Sequence, residues 1–404
     1  MYDQLILKMQ LAAAEVLKWP RKAVNIFHHN DADGLSSGAI LTCAFEREGF
    51  EVQRYCLEKP YPAVLKKIYE QQRCIFIFAD FAGRIAPLLS ELNGEKNLTL
   101  ILDHHVAAAS TNPKVHNLDP DLFGLKGDRD ISASTTCYLF AKTLNKANQN
   151  LAHIAVIGAV GDQFFVDGRL VSQNREAAME AVGQGLINIM ETDDGEQYRL
   201  ITNQGVVPYD ELTGYLDVLG AVGYYQNGPA KGVEVCLNGT SAASDRMVEK
   251  LQTIKRKAFA TEIAKLEQGG LNKTPHLQWI HVANRLAPMG VKMIGVLCYE
   301  IRNMDLVDPQ KYIAGFQVIP NEIPGFGPIT FDEVKISMRV PTDLEQLIKD
   351  EKVPPLNTFL PEATNRLGGF SDACHRLAAA TTVSIGKEAA LINEIEKILN
   401  KERS

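Results

Sequence analysis

Short apolar runs alternate with amphipathic helical stretches between Lys22 and Val160. Four runs have the length and residue types of strands, and most of them are almost continuously apolar, as strands buried on both faces are. They are residues 24–27, 52–56, 74–79 and 98–102. The segments between them, residues 34–47, 61–71 and 84–92, have helical periodicity. This alternation predicts an α/β fold with a parallel, doubly wound sheet covered by helices on both faces.

A second, smaller α+β domain is predicted in the C-terminal part of the chain. A long charged helix over residues 241–268, ended by Gly269 and Gly270, predicts a helical linker. Strand-like runs then return, and after them come a proline-punctuated loop and a helical tail over residues 387–401. Residues 321–328 are rich in glycine and proline, which predicts a turn or loop. The runs predicted as strands are residues 279–282, 295–297, 312–318 and 334–339.

The composition is that of an ordinary globular protein and excludes a disordered or fibrous chain. The 404 residues are 46% hydrophobic and 23% charged, which suits two or three domains. Acidic residues outnumber basic ones, for a net charge of −7, so any contact with a polyanion must be local. The seven scattered cysteines argue against a disulfide framework and for a reducing compartment. Without a signal peptide or a long apolar span, a cytoplasmic protein that does not contact membranes is expected.

Polar side chains cluster directly after the first predicted strand. His29, Asp31 and Asp33 occupy alternate positions just before Gly34 and the start of a helix. Asp33 by itself could be an ordinary helix N-cap. Two aspartates and a histidine in one turn, however, concentrate negative charge that a cation would neutralise. The segment therefore favours a metal site.

Two further strands end in residues of the same kind. Asp80 follows residues 74–79, the sequence Asp103-His104-His105 follows residues 98–102, and Asp162 ends an apolar helical stretch. Because the carboxyl ends of parallel strands meet at one edge of the sheet, these side chains are expected to converge. Four carboxylates and two imidazoles suit two divalent ions with one bridging carboxylate, and they favour Mn²⁺, with Mg²⁺ as an alternative. The predicted metal ligands are His29, Asp31, Asp33, Asp80, His104 and Asp162.

The order of these motifs along residues 29–162 resembles the four motifs of the DHH phosphoesterase superfamily. That superfamily includes RecJ-type exonucleases, oligoribonucleases acting on very short RNA, cyclic-dinucleotide phosphodiesterases, exopolyphosphatases and family II pyrophosphatases. The resemblance implies a DHH catalytic domain over residues 1–240, a linker over 241–274 and a DHH-associated substrate-binding domain over 275–404.

The resemblance also implies roles for individual side chains. Asp103 and His105 are the implied catalytic residues: Asp103 orients His104, and His105 faces the substrate phosphate. Helix capping is an equal alternative for Asp103. One metal would be held by His29, Asp31 and the bridging Asp80, and the other by Asp33, Asp80, His104 and Asp162.

In the second domain, residues 368–375 resemble the Gly-Gly-His-x-x-Ala-Ala-Gly signature of DHH-associated domains. Phe370 stands where the signature has histidine, and His375 stands where it has its last glycine. Gly368 and Gly369 can offer backbone N–H groups to a phosphate. Phe370 could stack on a base or, equally, be a core residue. His375 is also a candidate for binding the substrate.

Three more side chains are candidates for binding the substrate. Arg339 and Arg366 are predicted to bind phosphate because a guanidinium matches its geometry, although lone arginines are often solvated or structurally paired. Ser134 and Ser132 open the helix after Asp103, where a hydroxyl could bind phosphate, but helix capping is preferred.

The predicted activity is two-metal hydrolysis of short oligonucleotides or linear dinucleotides such as pGpG and pApA to mononucleotides. The acidic balance, together with the lack of a basic, aromatic-lined stretch, favours such short substrates over long strands. A RecJ-like 5′→3′ exonuclease acting on single strands is the first alternative. A nucleotide-binding regulator without activity is the second, but it would require missing ligands. No obligate protein partner is indicated, and a homodimer is left open.

Overall fold

The computed structural model describes residues 2–202 and 205–402, with backbone only for Asp372, Ala373 and Glu402. It divides into two compact units, Met1–Glu249 and Lys250–Ser404. The division falls inside the helix predicted as the linker, and the domain boundaries at residues 240 and 274 stay a prediction.

Unit 1 combines helices with three separate sheets. Its helices, the last of which crosses into unit 2, are α1 (Tyr2–Lys18), α2 (Ala32–Arg47), α3 (Pro62–Ile68), α4 (Ala86–Asn93), α5 (Ala133–Leu144), α6 (Ala152–Gly161), α7 (Ser172–Gly183), α8 (Tyr209–Asp217), α9 (Gly228–Asn238) and α10 (Ala242–Gly269). Its strands are β1 (Ala23–His28), β2 (Glu51–Cys56), β3 (Ile75–Ala79), β4 (Leu98–Leu102), β5 (Val115–Asn117), β6 (Phe165–Val166), β7 (Arg169–Leu170), β8 (Ile187–Thr192), β9 (Gly195–Thr202) and β10 (Gly205–Pro208).

The main sheet of unit 1 is parallel, with strand order β2-β1-β3-β4-β5. β3 and β4 are buried at every position, as their apolar sequences predict. β1 pairs with β2 on one side and with β3 on the other. The chain therefore adds β2 to one side of β1 and the next strands to the opposite side. Such a reversal opens a crevice at the carboxyl ends of the strands. The predicted fold class, the first four strands and helices α2 to α4 are thereby confirmed.

An antiparallel sheet of order β10-β9-β8 and a short β6-β7 ribbon complete unit 1. The hydrophobic pattern of the sequence predicts neither of them. Their strands follow the last predicted ligand in the chain. Polar and apolar residues are mixed along them, as in β9, where most side chains are partly exposed. That pattern lacks the continuous apolar character that marks the parallel strands.

Unit 2 is an α+β body built on one mixed sheet. Its elements are β11 (Asn272–Lys273), β12 (Leu277–Ala283), α11 (Met293–Ile301), β13 (Tyr312–Val318), β14 (Glu322–Ile323), β15 (Gly327–Pro328), β16 (Glu333–Arg339), α12 (Thr342–Lys349), α13 (Leu356–Arg366), β17 (Phe370–Cys374), β18 (Ala378–Ser384) and α14 (Glu388–Glu402). The sheet has the order β11-β12-β13-β16-β18-β17, and among the described residues only β12 and β13 pair in parallel. Apolar side chains from β13, β16, α12, α13 and α14 contribute to its core.

Two predictions for unit 2 are wrong. Residues 295–297 belong to helix α11, not to a strand, because a short apolar run reads alike in a buried helix and a strand. The proline-punctuated loop contains α12, α13, β17 and β18. Pro341 and Pro355 there are the N-cap residues of α12 and α13, where the missing N–H of proline costs no hydrogen bond within the helix. Residues 321–328 form a turn, as predicted, flanked by the two-residue strands β14 and β15.

All seven cysteines are free thiols, and four of them are buried. Among the described residues, no helix combines the length and the apolar character needed to span a membrane.

Candidate metal centre

The loop between β1 and α2 presents the first three predicted ligands. Asp31 is the N-cap of α2, because its Oδ1 accepts a hydrogen bond from the backbone N–H of Gly34 at 3.0 Å. The capping role considered for Asp33 therefore belongs to Asp31. The other oxygen of Asp31, Oδ2, lies 2.6 Å from Nδ1 of His29. One aspartate thus starts the helix and also faces the neighbouring imidazole.

Asp33 is buried in the first turn of α2 and faces the beginning of α5. Its carboxylate accepts hydrogen bonds from the backbone N–H groups of Ala133 and Ser134, each at 2.8 Å. A helix N-terminus stabilises negative charge. Burial raises the pKa of Asp33, although the charge of His104 and the hydrogen bonds from Ser134 act against it. Gly158 permits this packing, since a Cβ there would come within 1.9 Å of Asp33 Oδ1.

Asp80 lies directly after β3, between the two histidines of the site. Its Oδ2 is 3.4 Å from Nδ1 of His29, and its Oδ1 is 3.4 Å from Nε2 of His104. Its φ of 67° is in the left-handed region, an unfavourable conformation that often occurs at functional sites. Burial, together with the charges of Asp31 and Asp33, raises the pKa of Asp80 to about 6.

His104 turns its Nε2 toward three carboxylates. Its Nδ1 lies 2.5 Å from the carbonyl oxygen of Gly127, which fixes the ring orientation. Its Nε2 is 3.6 Å from Oδ2 of Asp162 and 4.0 Å from Oδ2 of Asp33. Burial lowers the pKa of His104, but Asp80 and the charges of Asp33 and Asp162 outweigh burial and raise it.

The six predicted ligands fall into two groups, each with ligand atoms within 4.8 Å of one another. Asp80 belongs to both groups. One group is His29, Asp31 and Asp80, and the other is Asp33, Asp80, His104 and Asp162.

The donor set fits a pair of divalent cations. Asp80 Oδ2 and His104 Nε2 are buried without a hydrogen-bond partner among the described residues. An unsatisfied buried carboxylate oxygen and imidazole nitrogen are costly unless a cation satisfies them. Hard oxygen donors with imidazole suit Mn²⁺ or Mg²⁺.

The raised pKa of Asp80 predicts a pH-dependent response to metal. Since the folded-state pKa is above the ordinary 3.8, the metal-free protein should lose stability as pH rises from about 4 to about 6. Metal binding needs the ionised carboxylate, so the increase in Tm caused by Mn²⁺ should grow as pH rises through about 6. Thermal unfolding with Mn²⁺ and with a chelator, at about pH 5 and about pH 7.5, measures this. An equal Tm shift at both values would contradict the prediction.

Asp103 binds the second histidine of its motif, not the first. Its Oδ1 accepts hydrogen bonds from His105 Nδ1 at 2.7 Å and from the backbone N–H of His104 at 2.8 Å. The expected orientation of the His104 ring by Asp103 is therefore wrong, because Gly127 takes that position. Helix capping by Asp103 is also excluded, since the residue lies in the loop after β4. Asp103 also falls within 4.8 Å of Asp80, His104 and His105, but its oxygens already accept N–H donors.

The backbone N–H groups of Gly368 and Gly369 are occupied within unit 2. They donate to the carbonyl oxygens of Asn365 and Thr364, both at 3.0 Å. Gly368 has a φ of 69°, the left-handed conformation in which helices commonly end. The two glycines therefore end α13, and phosphate binding by their N–H groups stays a prediction.

Two further substrate-binding candidates are engaged in the protein. Arg366 is exposed and pairs with Glu362 at 2.5 Å and with Glu394 at 3.1 Å, which favours the structural alternative. Ser134 is fully buried, and its hydroxyl donates to the carbonyl oxygen of Ala155 at 2.8 Å. Ser132 is the cap of α5, as preferred from the sequence, and substrate binding by the Ser134 hydroxyl stays a prediction.

The other candidates of unit 2 stay predictions. Arg339 ends β16 half-buried, and its guanidinium donates to the carbonyl oxygen of Met338 at 2.8 Å. Burial lowers the pKa of Arg339. Phe370 begins β17, pairs with Thr382 of β18 and is partly exposed. His375 is exposed in the turn at the opposite end of β17.

Two residues close to the candidate ligands, Gly127 and Asp119, carry no signal in the sequence that marks them. The carbonyl oxygen of Gly127 carries no signal in a sequence, because every residue has one. Asp119 follows the three-residue strand β5, which has no apolar run to mark a strand exit. An aspartate after a short edge strand is indistinguishable from an ordinary turn residue.

Comparison with solved structures shows which known fold this chain has. No family model matches the sequence. RecJ from Thermus thermophilus, in complex with Mn²⁺, superposes with a TM-score of 0.62 over 98% of this chain and 55% of that chain, at 15% identity. The DHH domain of a protein described as a member of a family of ribosomal proteins gives 0.61 over 98% of this chain and 90% of that one, at 13% identity. The chain therefore has the fold that RecJ and this DHH domain share.

Two more proteins extend the comparison. CDC45 from Entamoeba histolytica has a TM-score of 0.57 over 99% of this chain and 98% of that chain, at 10% identity. The uncharacterized protein MJ0831 of Methanocaldococcus jannaschii is 29% identical over 174 residues, 41% of this chain and 38% of its own length. The match thus spans well under half of that relative, and the chain spans about half of the Thermus RecJ.

Proposed function

We propose that this protein is a two-metal phosphodiesterase that hydrolyses short oligonucleotides or linear dinucleotides. The observation that carries the proposal is the pair of ligand groups that share Asp80. Two divalent cations, with Mn²⁺ preferred and Mg²⁺ as the alternative, would supply an activated water and neutralise charge on the phosphoryl oxygens. The DHH fold supports the proposal, and RecJ of the same fold is described as bound to Mn²⁺ or Mg²⁺.

In unit 1, some side chains would bind the cations and one would transfer a proton. His29, Asp31 and Asp80 would hold one cation, and Asp33, Asp80, His104 and Asp162 the other. Asp33 keeps its position through two backbone hydrogen bonds from α5. His105 lies beside His104, with ring centroids 4.1 Å apart, and 17% of its side chain is exposed. It is therefore placed to donate or accept a proton at a phosphate oxygen.

In unit 2, Arg339 is the candidate for binding a terminal phosphate. It shares one face of β16 with Ser337 and Lys335, since the three residues alternate along the strand.

The net charge of −7 supports short substrates, because long strands are held mainly by phosphate contacts with basic residues. The test compares kcat/KM for a 5′-phosphorylated dinucleotide and for a single strand of about 20 nucleotides, at several salt concentrations. We expect the dinucleotide to be preferred at least about tenfold, with a weak salt dependence. Preference for the long strand with a steep salt slope would instead indicate an exonuclease resembling RecJ.

An inactive nucleotide-binding regulator would give a third result. Binding of the dinucleotide without hydrolysis, in the presence of Mn²⁺ or Mg²⁺, would replace the enzymatic proposal. For substitutions of the candidate ligands, the matched control is the Asp193→Asn variant. Asp193 is an exposed aspartate in the β8–β9 turn and lies outside both ligand groups.

A further inference from the structure

A pocket of about 430 Å³ lies in unit 2, where α11 ends beside the exit of β16. Two hydrogen bonds join its walls. Nδ2 of Asn303 donates to Oγ1 of Thr342 at 2.8 Å, and the backbone N–H of Thr342 donates to Oδ1 of Asn303 at 3.1 Å. The volume is in the range of binding sites for small molecules. None of the residues proposed above for the metal centre or for phosphate binding lines this pocket.

Arg302 lines the pocket with its guanidinium group stacked on a tyrosine ring. Its Cζ lies 3.5 Å from the centroid of the Tyr299 ring. Tyr299 is 54% exposed, and Arg302 is half-buried. Among the described residues, no carboxylate forms an ion pair with Arg302. A guanidinium supported by an aromatic ring is a flat cation on which a nucleobase can stack.

A second arginine lies against the same face of α11. A Cβ on Gly295 would come within 2.8 Å of Nη2 of Arg339. Gly295, Tyr299 and Arg302 are four and three residues apart, so they share one face of the helix. Burial lowers the pKa of Arg339, and the nearby charge of Arg302 lowers it further. Positive charge is therefore concentrated beside the pocket, which favours an anionic ligand.

Two exposed aspartates, Asp305 and Asp343, also line the pocket. Their charges would repel a free polyphosphate. A carboxylate, however, accepts hydrogen bonds from ribose hydroxyl groups and from the amino group of a base. These acceptors together with Arg302 suit a nucleotide that carries a single phosphate.

We propose that this pocket is a nucleotide subsite of unit 2, in which a base stacks on the guanidinium of Arg302 while the ring of Tyr299 supports it from the other side. The ligand is a nucleoside 5′-monophosphate, either free or as one end of a short oligonucleotide. Binding of the nucleotide does not depend on hydrolysis. Its contribution to turnover rests on the proposed function.

Calorimetric titration with AMP and with ribose 5-phosphate tests the stacking, because the second probe lacks the base. A chelator is present, so that no metal takes part. We expect the wild type to bind AMP about tenfold more tightly than ribose 5-phosphate. In Arg302→Lys, which keeps the charge but has no flat group, the two affinities should agree within about twofold. Tyr299→Phe keeps the ring and should behave as wild type.

The matched control is Arg256→Lys, because Arg256 is an exposed arginine of α10 outside the pocket. It should retain the tenfold preference for AMP. A preference that persists in both Arg302→Lys and Arg302→Ala would show that no base stacks on Arg302. Equal affinities of the wild type for the two probes, or no binding of AMP, would also overturn the proposal. Thermal unfolding checks that each variant is folded, and if Arg302→Ala is not, the lysine variant decides.

Kinetics on the 5′-phosphorylated dinucleotide separate this inference from the proposed function. In Arg302→Lys, KM should rise about tenfold while kcat stays within about twofold of wild type, since the stacked base lies away from the reacting phosphate. If no phosphodiester is hydrolysed but the preference for AMP depends on Arg302, only the proposed function is rejected. If the dinucleotide is hydrolysed and the preference does not depend on Arg302, only the subsite is rejected.

Discussion

Replacing Asp80 by asparagine is expected to lower hydrolysis of a model phosphodiester by at least ~10³-fold, since loss of the bridging charge removes several kcal/mol of transition-state stabilisation. Asp80 is the residue that both ligand groups share, so the substitution is expected to affect both of the proposed cations. Asparagine is nearly isosteric with aspartate and tolerates the left-handed backbone at this position. The fold should therefore survive.

Metal content and stability complete this test. Equilibrium dialysis should find two Mn²⁺ per wild-type chain and fewer than one per Asp80→Asn chain. The metal-free variant should unfold at the same temperature as the metal-free wild type or higher, because a buried carboxyl with a raised pKa has been removed. Asp193→Asn should behave as wild type. A variant at position 80 that retains more than about a tenth of the wild-type rate would contradict the bridging role.

Replacing His105 by alanine is expected to lower kcat about 10²–10³-fold, in the range attributed to general acid–base catalysis. His105 is outside the two proposed ligand groups, so Mn²⁺ binding should be unchanged. Steady-state kinetics and dialysis on the same preparation measure both effects. His116→Ala is a suitable control, because His116 is a partly exposed histidine of β5 that pairs with Glu15.

The hydrogen bond between Asp103 and His105 predicts that the effects of substituting the two residues are not additive. Asp103→Asn alone should slow turnover, but Asp103→Asn combined with His105→Ala should be no slower than His105→Ala, because residues that act as a unit are not additive. Fully additive losses would mean that Asp103 acts independently of His105. A loss below about threefold in His105→Ala would remove the histidine from the proton-transfer step.

The parallel sheet and the convergence of the six candidate ligands could be predicted because their signals are local. β3 and β4 are continuous apolar runs, and the ligands Asp80 and His104 lie within two residues of where these runs end. A buried parallel strand must be apolar along its length, so the first polar residue after it marks the functional edge of the sheet.

The polar candidates of unit 2 were less predictable from the chain. Arg366 could be matched to Glu362 from their spacing within one helix, but its contact with Glu394 arises from the packing of α14. Gly368 and Gly369 resemble a phosphate-binding motif in sequence, yet their N–H groups end a helix. A motif gives the identity of a residue and leaves open where its backbone hydrogen bonds go.

The sequence by itself determined the α/β class, the strand exits and the set of side chains that converge on the candidate metal centre, because strand periodicity and ligand type are properties of short segments. The tertiary structure alone decided that Asp80 lies between both histidines and that Asp103 accepts a hydrogen bond from His105. The contacts of Asp80 join three loops, and the geometry of every contact depends on backbone and rotamer states that only the packed chain selects.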